Sequence, residues 1–600
     1  MSSTMPSTAG RAFVLGAPLR WRRPTLLDIG CFGVIAAAIL LPLRGLYAAT
    51  GSTMEEGFML TFPERMVHGA VPNVDFLHLY GPGSLDVLVG WYGLFGHNLA
   101  AERTFGLLQH LGVIFAIYTL TRAWGRVNAT ICALVCIVIV ITPIGLSALA
   151  WEGGVALGLW SVVFALRSMN LADGASRGAV DRAAVVRNAL AAGLLAGLAL
   201  SYRPDLVTAL VLAHGYLVWR RHRQAWRPFA IGIGIGLLPI VVHLFVAGLG
   251  PSFRGMVLDP VFHLRPGRRL PTPPSFGTID GGLQAAVESQ PPWWRLPAIP
   301  AAKQLFFWFF AMLAAIVANL VVARRAIKSG NFGGRGVALM VPALFGLGLV
   351  QQALQRPDST HLAWVVCVCF ALLPVTVVEV LARRAPRIRH ERRSVTAFAA
   401  VGAMLFVICP FYTYRNYLLD SRVSVGNLPA PFKVERDGRQ FWMGKQISAQ
   451  ASQEAVDTVA AMMKPGERLL VGTADLSRTV YSDVMFYYLL PELTPATYYI
   501  EMDPGLADKP GSSLAADLKS ADWVILTNFW SGWQEPNTTR RGVHGSQAPN
   551  QVIADDFCLV AKPDGFGQAE VLLYHRCAKG DGVSPAVVGE RSALVRAAGG

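Results

Sequence analysis

The chain has 600 residues, 53% of them hydrophobic and only 15% charged. Soluble domains are about a quarter charged, so an ordinary soluble protein is excluded, and a multi-span membrane protein with room for one further domain is expected. The formal net charge of +15 does not indicate a nucleic-acid binder, because the arginines lie in short loops between apolar runs, where they encode topology.

Residues 1–25 are basic (Arg11, Arg20, Arg22, Arg23) and are expected to be cytoplasmic. The apolar run 26–48 is long enough to cross a bilayer and has no small-residue cleavage pattern, so it reads as a retained signal-anchor. A polar outer loop, 49–103, follows. Within it, 85–95 is too short and Gly-rich to span and is expected to lie in the outer interface, with Trp91 and Tyr92 as anchors; 58–67 reads as a second such helix.

Further spans are expected over 104–121, 131–149, 155–166, 189–200, 206–219, 229–249, 305–323, 337–354, 362–381 and 396–412. Short outer turns fall at Trp151-Glu152-Gly153, Tyr202-Arg203-Pro204-Asp205 and Arg356 to His361, and a long Pro- and Arg-rich outer loop covers 251–303. Inner loops are basic, so about eleven spans place the N-terminus inside and the C-terminus outside. No inverted repeat of the transporter kind is evident. The fold class expected is a polytopic α-helical membrane protein over 26–412 with a C-terminal exoplasmic α/β domain over 413–580 and a disordered tail, 581–600.

In the C-terminal part, 468–472, 523–526 and 570–574 read as buried strands, with helical patterns at 454–463 and 514–519 between them. Six cysteines lie in apolar spans, where Cys acts as a small hydrophobe. Cys558 and Cys577 fall in adjacent expected strands, and an exoplasmic compartment favours a disulfide between them. Tyr481, Tyr487, Tyr488, Tyr498, Tyr499, Trp530 and Trp533 could stack on sugar rings, although core packing accounts for most such residues.

Polar residues converge on the outer side: Glu55, Glu56, Asp75, His78, Tyr80, Glu152, Arg203, Asp205, His263, Arg265, Arg268, Arg269, Arg356, Asp358 and His361. A carboxylate there could take a proton from a hydroxyl, and an arginine fork could hold a phosphate. Wet loops also carry charge for no catalytic reason. Glu55 and Glu56 could simply place negative charge at a helix N-terminus, Asp75 could cap the turn before Phe76, and His361 could be a satisfied histidine at a helix start. The basic run 265–269 could equally meet lipid headgroups. His214 and His243 lie within spans and read as structural. The sequence holds no P-loop, dinucleotide fingerprint or zinc spacing, so no nucleotide cofactor is expected.

The segment Gly69-x-x-Pro72-x-x-Asp75-Phe76 … Tyr80-Gly81-Pro82, continued by Phe95-Gly96 … Arg103, resembles the first outer loop of GT-C superfamily glycosyltransferases. It is most similar to the bacterial protein-mannosyltransferase-like (RgtA/B/C/D-like) branch. The resemblance implies an inverting transfer of sugar from a polyprenyl-phosphate donor to an envelope glycan, glycolipid or protein at the outer face of a bacterial plasma membrane. It places the catalytic base at Glu55 or Glu56, with Glu55 favoured. Donor phosphate would be held by Arg356, with Arg203 as competitor and Arg265, Arg268 and Arg269 as guides. Asp75, with His78, Tyr80, Glu152, Asp205, Asp358 and His361, would shape the site or bind a divalent ion (Mg or Mn). A transporter or flippase of envelope lipids, or a non-enzymatic scaffold, are the alternatives; a transporter is expected to place charge at mid-membrane.

Overall fold

The computed structural model describes residues 25–141, 145–173, 181–219, 225–285, 299–329, 334–409, 414–530, 545–561 and 571–577. The expected cytoplasmic N-terminal segment up to residue 24, Trp533 and the tail 581–600 lie outside the described residues.

Seven described helices are long and apolar enough to cross a membrane: Leu26–Tyr47, Leu99–Trp124, Ala150–Leu171, Arg182–Tyr202, Trp226–Ala247, Ala301–Lys328 and Arg335–Gln355. The pair Ser359–Cys369 and Leu373–Arg384, bent by 45°, makes an eighth if counted as one span. The bend falls just before Pro374, which cannot donate to the preceding turn. Two shorter apolar helices, Arg126–Val140 and Pro204–Val218, and the helix His390–Ile408 occupy the remaining segments expected to span. Every expected span contains a helix, although the one expected over 131–149 ends at Val140, and eleven crossings is an approximate count. The chain is a multi-pass α-helical membrane protein with a β-containing C-terminal region.

Small residues let two of these helices approach closely. Gly193 and Gly197 on one, and Gly232 and Gly236 on the other, face each other four residues apart. A Cβ on Gly197 would lie 2.4 Å from the Ile233 carbonyl oxygen, and one on Gly232 would lie 2.3 Å from that of Leu190. This is the small-xxx-small contact by which membrane helices gain van der Waals packing in place of a hydrophobic driving force.

The helix Glu55–Val67 departs from the sequence expectation. Gly57 to Pro63 are buried, and Phe58 and Phe62 share a core with Tyr487, Tyr488 and Leu489 of the C-terminal region. It is a covered helix, not an interfacial one. Gly83–Phe95 does leave Leu94 and Phe95 exposed, but the expected anchors turn inward. The Tyr92 hydroxyl donates to the Met59 carbonyl at 3.1 Å, and Trp91 Nε1 donates to that of Ala101 at 2.9 Å.

The C-terminal region opens with a hairpin, β1 (Phe432–Arg436) and β2 (Arg439–Met443). Its two-residue turn, Asp437-Gly438, has positive φ at both positions, the twist that tight hairpins require. A five-stranded sheet follows, formed by β3 (Arg468–Thr473), β4 (Thr494–Pro495), β5 (Trp523–Thr527), β6 (Phe557–Ala561) and β7 (Val571–Arg576), in the order β4-β3-β5-β7-β6. β3 runs parallel to β4 and β5, while β7 is antiparallel to β5 and β6. The helices Gln446–Met462 and Leu514–Lys519 contain or coincide with the expected helical patterns. Cys558 and Cys577 are joined as a disulfide, with Cα atoms 5.1 Å apart.

In sheets of this kind, loops beyond the carboxyl ends of parallel strands carry sites. Here they reach the membrane region. Asp483, beyond β3, accepts from Thr527 Oγ1 at the end of β5, from Trp530 Nε1 at 3.0 Å and from Thr53 Oγ1 at 2.6 Å. Thr53 lies two residues before Glu55.

Candidate active site

Consecutive residues on a helix point about 100° apart, and at the start of Glu55–Val67 this sends two adjacent carboxylates to different surroundings. Glu56 turns into the protein. Its two oxygens accept from Arg103 Nε at 2.7 Å and Nη2 at 2.9 Å, and both side chains are 2% exposed. Arg103 Nη1 also donates to the carbonyl of Tyr47 at 2.8 Å. Glu56 is thus engaged in a buried bidentate pair with Arg103 of the second span, an arrangement that favours Glu55 over Glu56 as the base.

Glu55 is partly exposed. The Ser52 hydroxyl hydrogen-bonds its carboxylate, and its own amide donates back to Ser52 Oγ at 3.2 Å. Burial raises its carboxyl to about 7, against the opposing pull of the Arg268 and Arg356 guanidinium groups. A carboxylate that titrates near neutrality beside two arginines suits a base acting on a hydroxyl next to an anion.

A chain of contacts encircles this position. Arg356 Nε pairs with Asp358 at 2.9 Å, and its Nη1 donates to the Tyr481 hydroxyl at 2.7 Å. Arg268 lies over the Tyr481 ring, 5.1 Å from its centroid, and pairs with buried Asp503 at 2.5 Å. Asp358 accepts from the amide of His361 at 3.0 Å, capping the helix Ser359–Cys369, and meets His361 Nδ1 at 2.9 Å. The His361 ring packs on Trp364, which stacks on Trp151. Arg203 lies between Trp151 and Tyr80, 5.1 and 4.5 Å from their centroids, and is bound in bidentate fashion by Asp205 at 2.9 Å. Glu501, buried, is raised well above the usual carboxylate range by burial and then by Asp503.

Arg203 and Arg356 are built alike. Each ends a helix in an Arg-Pro-Asp turn, with φ and ψ of −142° and 95° at Arg203 and −149° and 88° at Arg356. Each pairs with the aspartate two residues on. The Gln351 and Gln352 amides reach Asp205, fastening one turn to the helix that leads into the other.

Several expected site residues are elsewhere or play other parts. Asp75 is exposed and accepts from the Val71 amide at 2.6 Å, closing its own turn. Burial holds the His78 imidazole down to about 3, so it is neutral, and its Nε2 faces the Gly81 carbonyl at 3.4 Å. Tyr80 bears on Arg203 as described. Glu152 is buried in the first turn of a helix beginning at Ala150 and is not on an open turn. Arg269 is exposed, and Arg265 is half-buried. Among the described residues, no three His, Cys, Asp or Glu side chains are grouped to hold a metal ion. Glu501 and Asp503 carry no local signal in the sequence, and only the docking of the C-terminal region brings them to Arg268.

A cavity of about 390 Å³ opens beside this ring, lined by Gln109, Gly112, Gly153, Trp160, Phe164 and Tyr202 among others. A Cβ on Gly112 would meet Ala156 at 2.9 Å and one on Gly153 would meet Gln109 and Tyr202 at 2.6 Å, and Gly153 and Tyr202 are the neighbours of Glu152 and Arg203.

No family model and no curated protein matches the sequence. Among solved structures, the chain is similar to ArnT from Cupriavidus metallidurans bound to undecaprenyl phosphate, with a TM-score of 0.48 and 14% identity over 93% of this chain and 99% of that one. The apo form of the same protein gives 0.47 and 14% over 92% and 98%. The oligosaccharyltransferase from Archaeoglobus fulgidus, a complex with zinc and sulfate, gives 0.39 and 12% over 91% and 73%.

Proposed function

We propose that this chain is a GT-C-type glycosyltransferase that moves a sugar from a polyprenyl-phosphate donor to a hydroxyl of a cell-envelope acceptor, with inversion at the anomeric carbon. Glu55 takes the acceptor proton. The acceptor oxygen attacks the anomeric carbon as the sugar–oxygen bond to phosphate breaks, and the departing phosphate keeps the electron pair between Arg268 and Arg356. An inverting displacement needs one base and one leaving group, with no covalent intermediate. Arg203, held by Asp205 and stacked on rings, forms a wall of the site. The prenyl chain lies in the apolar cavity lined by Gly112, Gly153 and Trp160. The site faces the exoplasmic side, with residues 413–580 over it and the N-terminus in the cytoplasm.

What carries this reading is the electrostatic reach of the Arg268 and Arg356 guanidinium groups to Glu55, whose carboxyl burial raises to about 7. The test is transfer from a panel of labelled polyprenyl-phosphate sugars by purified protein in lipid nanodiscs. Wild type and Glu55→Asp should form product and Glu55→Gln should not. Undiminished product from Glu55→Gln would remove the base assignment.

A further inference from the structure

Two guanidinium groups that repel each other are brought together here by one phenol. Arg268 comes from the short helix Leu264–Arg268 and Arg356 from an Arg-Pro-Asp turn, and each lowers the other's tolerance for charge. Tyr481, from the loop after β3, offers a different attraction to each. Its hydroxyl oxygen accepts from Arg356 at 2.7 Å, and its π face lies under Arg268, an arrangement that attracts a cation without adding charge. The residue is itself fixed: it is 3% exposed, its ring meets Trp530 edge-on at 5.4 Å, and Asp483, two residues on, is bound to Thr53 and Thr527. Core packing alone would be served by phenylalanine, whereas the hydroxyl is spent on Arg356.

We propose that Tyr481 is a positioning residue: it joins Arg268 and Arg356 into one site for a lipid-linked phosphate, so that the C-terminal region completes the donor site. The inference rests on the transferase reading above and deepens it. It predicts that the hydroxyl acts on donor affinity and not on the chemical step, because Tyr481 reaches the reaction only through the arginines.

The test uses the full chain in nanodiscs, with undecaprenyl phosphate as probe and phosphatidylglycerol nanodiscs and inorganic phosphate as controls. Tyr481→Phe should weaken undecaprenyl phosphate binding and raise KM about tenfold, the usual worth of a hydrogen bond to a charged group. Its kcat should stay within about threefold, and its melting temperature should match wild type. Tyr481→Leu, which also removes the π face, should weaken binding further, by about another threefold to tenfold. Equal undecaprenyl phosphate affinity in wild type and Tyr481→Phe overturns the inference while leaving the transferase reading intact, and so does a loss confined to melting temperature. Failure of wild type to bind undecaprenyl phosphate above the phosphatidylglycerol and phosphate controls overturns both.

Discussion

Exchanging the two neighbouring carboxylates one at a time separates their roles. In Glu56→Gln the charge facing Arg103 disappears from surroundings where both partners are 2% exposed, and hydrogen bonds of 2.7 and 2.9 Å lose their ionic character. Removing one partner of a buried pair costs roughly 3–5 kcal/mol, because the other charge is left uncompensated. The glutamine oxygen still accepts one bond, which sets the expectation at the lower end. Arg103 also binds the Tyr47 carbonyl, so the loss reaches the end of the first span. Glu55→Gln removes a partly exposed group bonded to Ser52, at a stability cost of about 1 kcal/mol, but loss of a general base lowers turnover by about 10²–10⁴. Thermal unfolding followed by tryptophan fluorescence, run beside the transfer assay, gives both readouts. The reasoning fails if Glu56→Gln melts like wild type and is inactive while Glu55→Gln keeps its rate.

The acid form of Glu55 prevails below its value of about 7, so kcat/KM should climb as pH rises through neutrality; in Glu55→Gln the residual rate should be flat over the same range. Burial would raise Glu64, but hydrogen bonds from Arg439 and His97 outweigh it and hold the carboxyl at about 2. An unfolded glutamate titrates near about 4.3, so this contact adds stability above that pH and loses it as pH falls toward about 2. Arg439→Ala should therefore raise the pH of acid unfolding and speed hydrogen exchange in the β1–β2 hairpin. Gly197→Val, forced against the Ile233 carbonyl, should cost roughly 1–3 kcal/mol or more. Gly90→Ala, with nothing within 4 Å, should be neutral or gain up to about 1 kcal/mol, and melting curves of the two compare them directly. Cys558 and Cys577 should resist alkylation until a reductant is added, as read by peptide mass.

Apolar runs announced the helices because lipid demands continuous hydrophobicity whatever the tertiary arrangement. They could not announce that Trp226–Ala247 breaks at Gly236 and Leu237, or that the bent pair turns before Pro374, since such breaks depend on neighbours able to satisfy freed backbone groups. The acids at 55 and 56 were visible, but which one faces inward depends on Arg103, 47 residues away. The Arg-Pro-Asp turns were legible as outer turns, and Arg356 was the arginine favoured for phosphate. Burial of the helix Glu55–Val67 and the approach of Tyr481, Glu501 and Asp503 were not legible. A helix that is moderately apolar can lie on a membrane or beneath a domain, and only the tertiary docking of the C-terminal region decides between them.

The paired Arg-Pro-Asp turns have a further consequence. Each guanidinium arrives with its own counter-ion two residues away, and Arg268 is paired with Asp503, so the three arginines bring little net charge to the site. A phosphate entering it brings surplus negative charge, which favours the protonated form of Glu55. Proton release from Glu55 is then postponed once donor is bound, so the rise of kcat with pH should lie above that of kcat/KM.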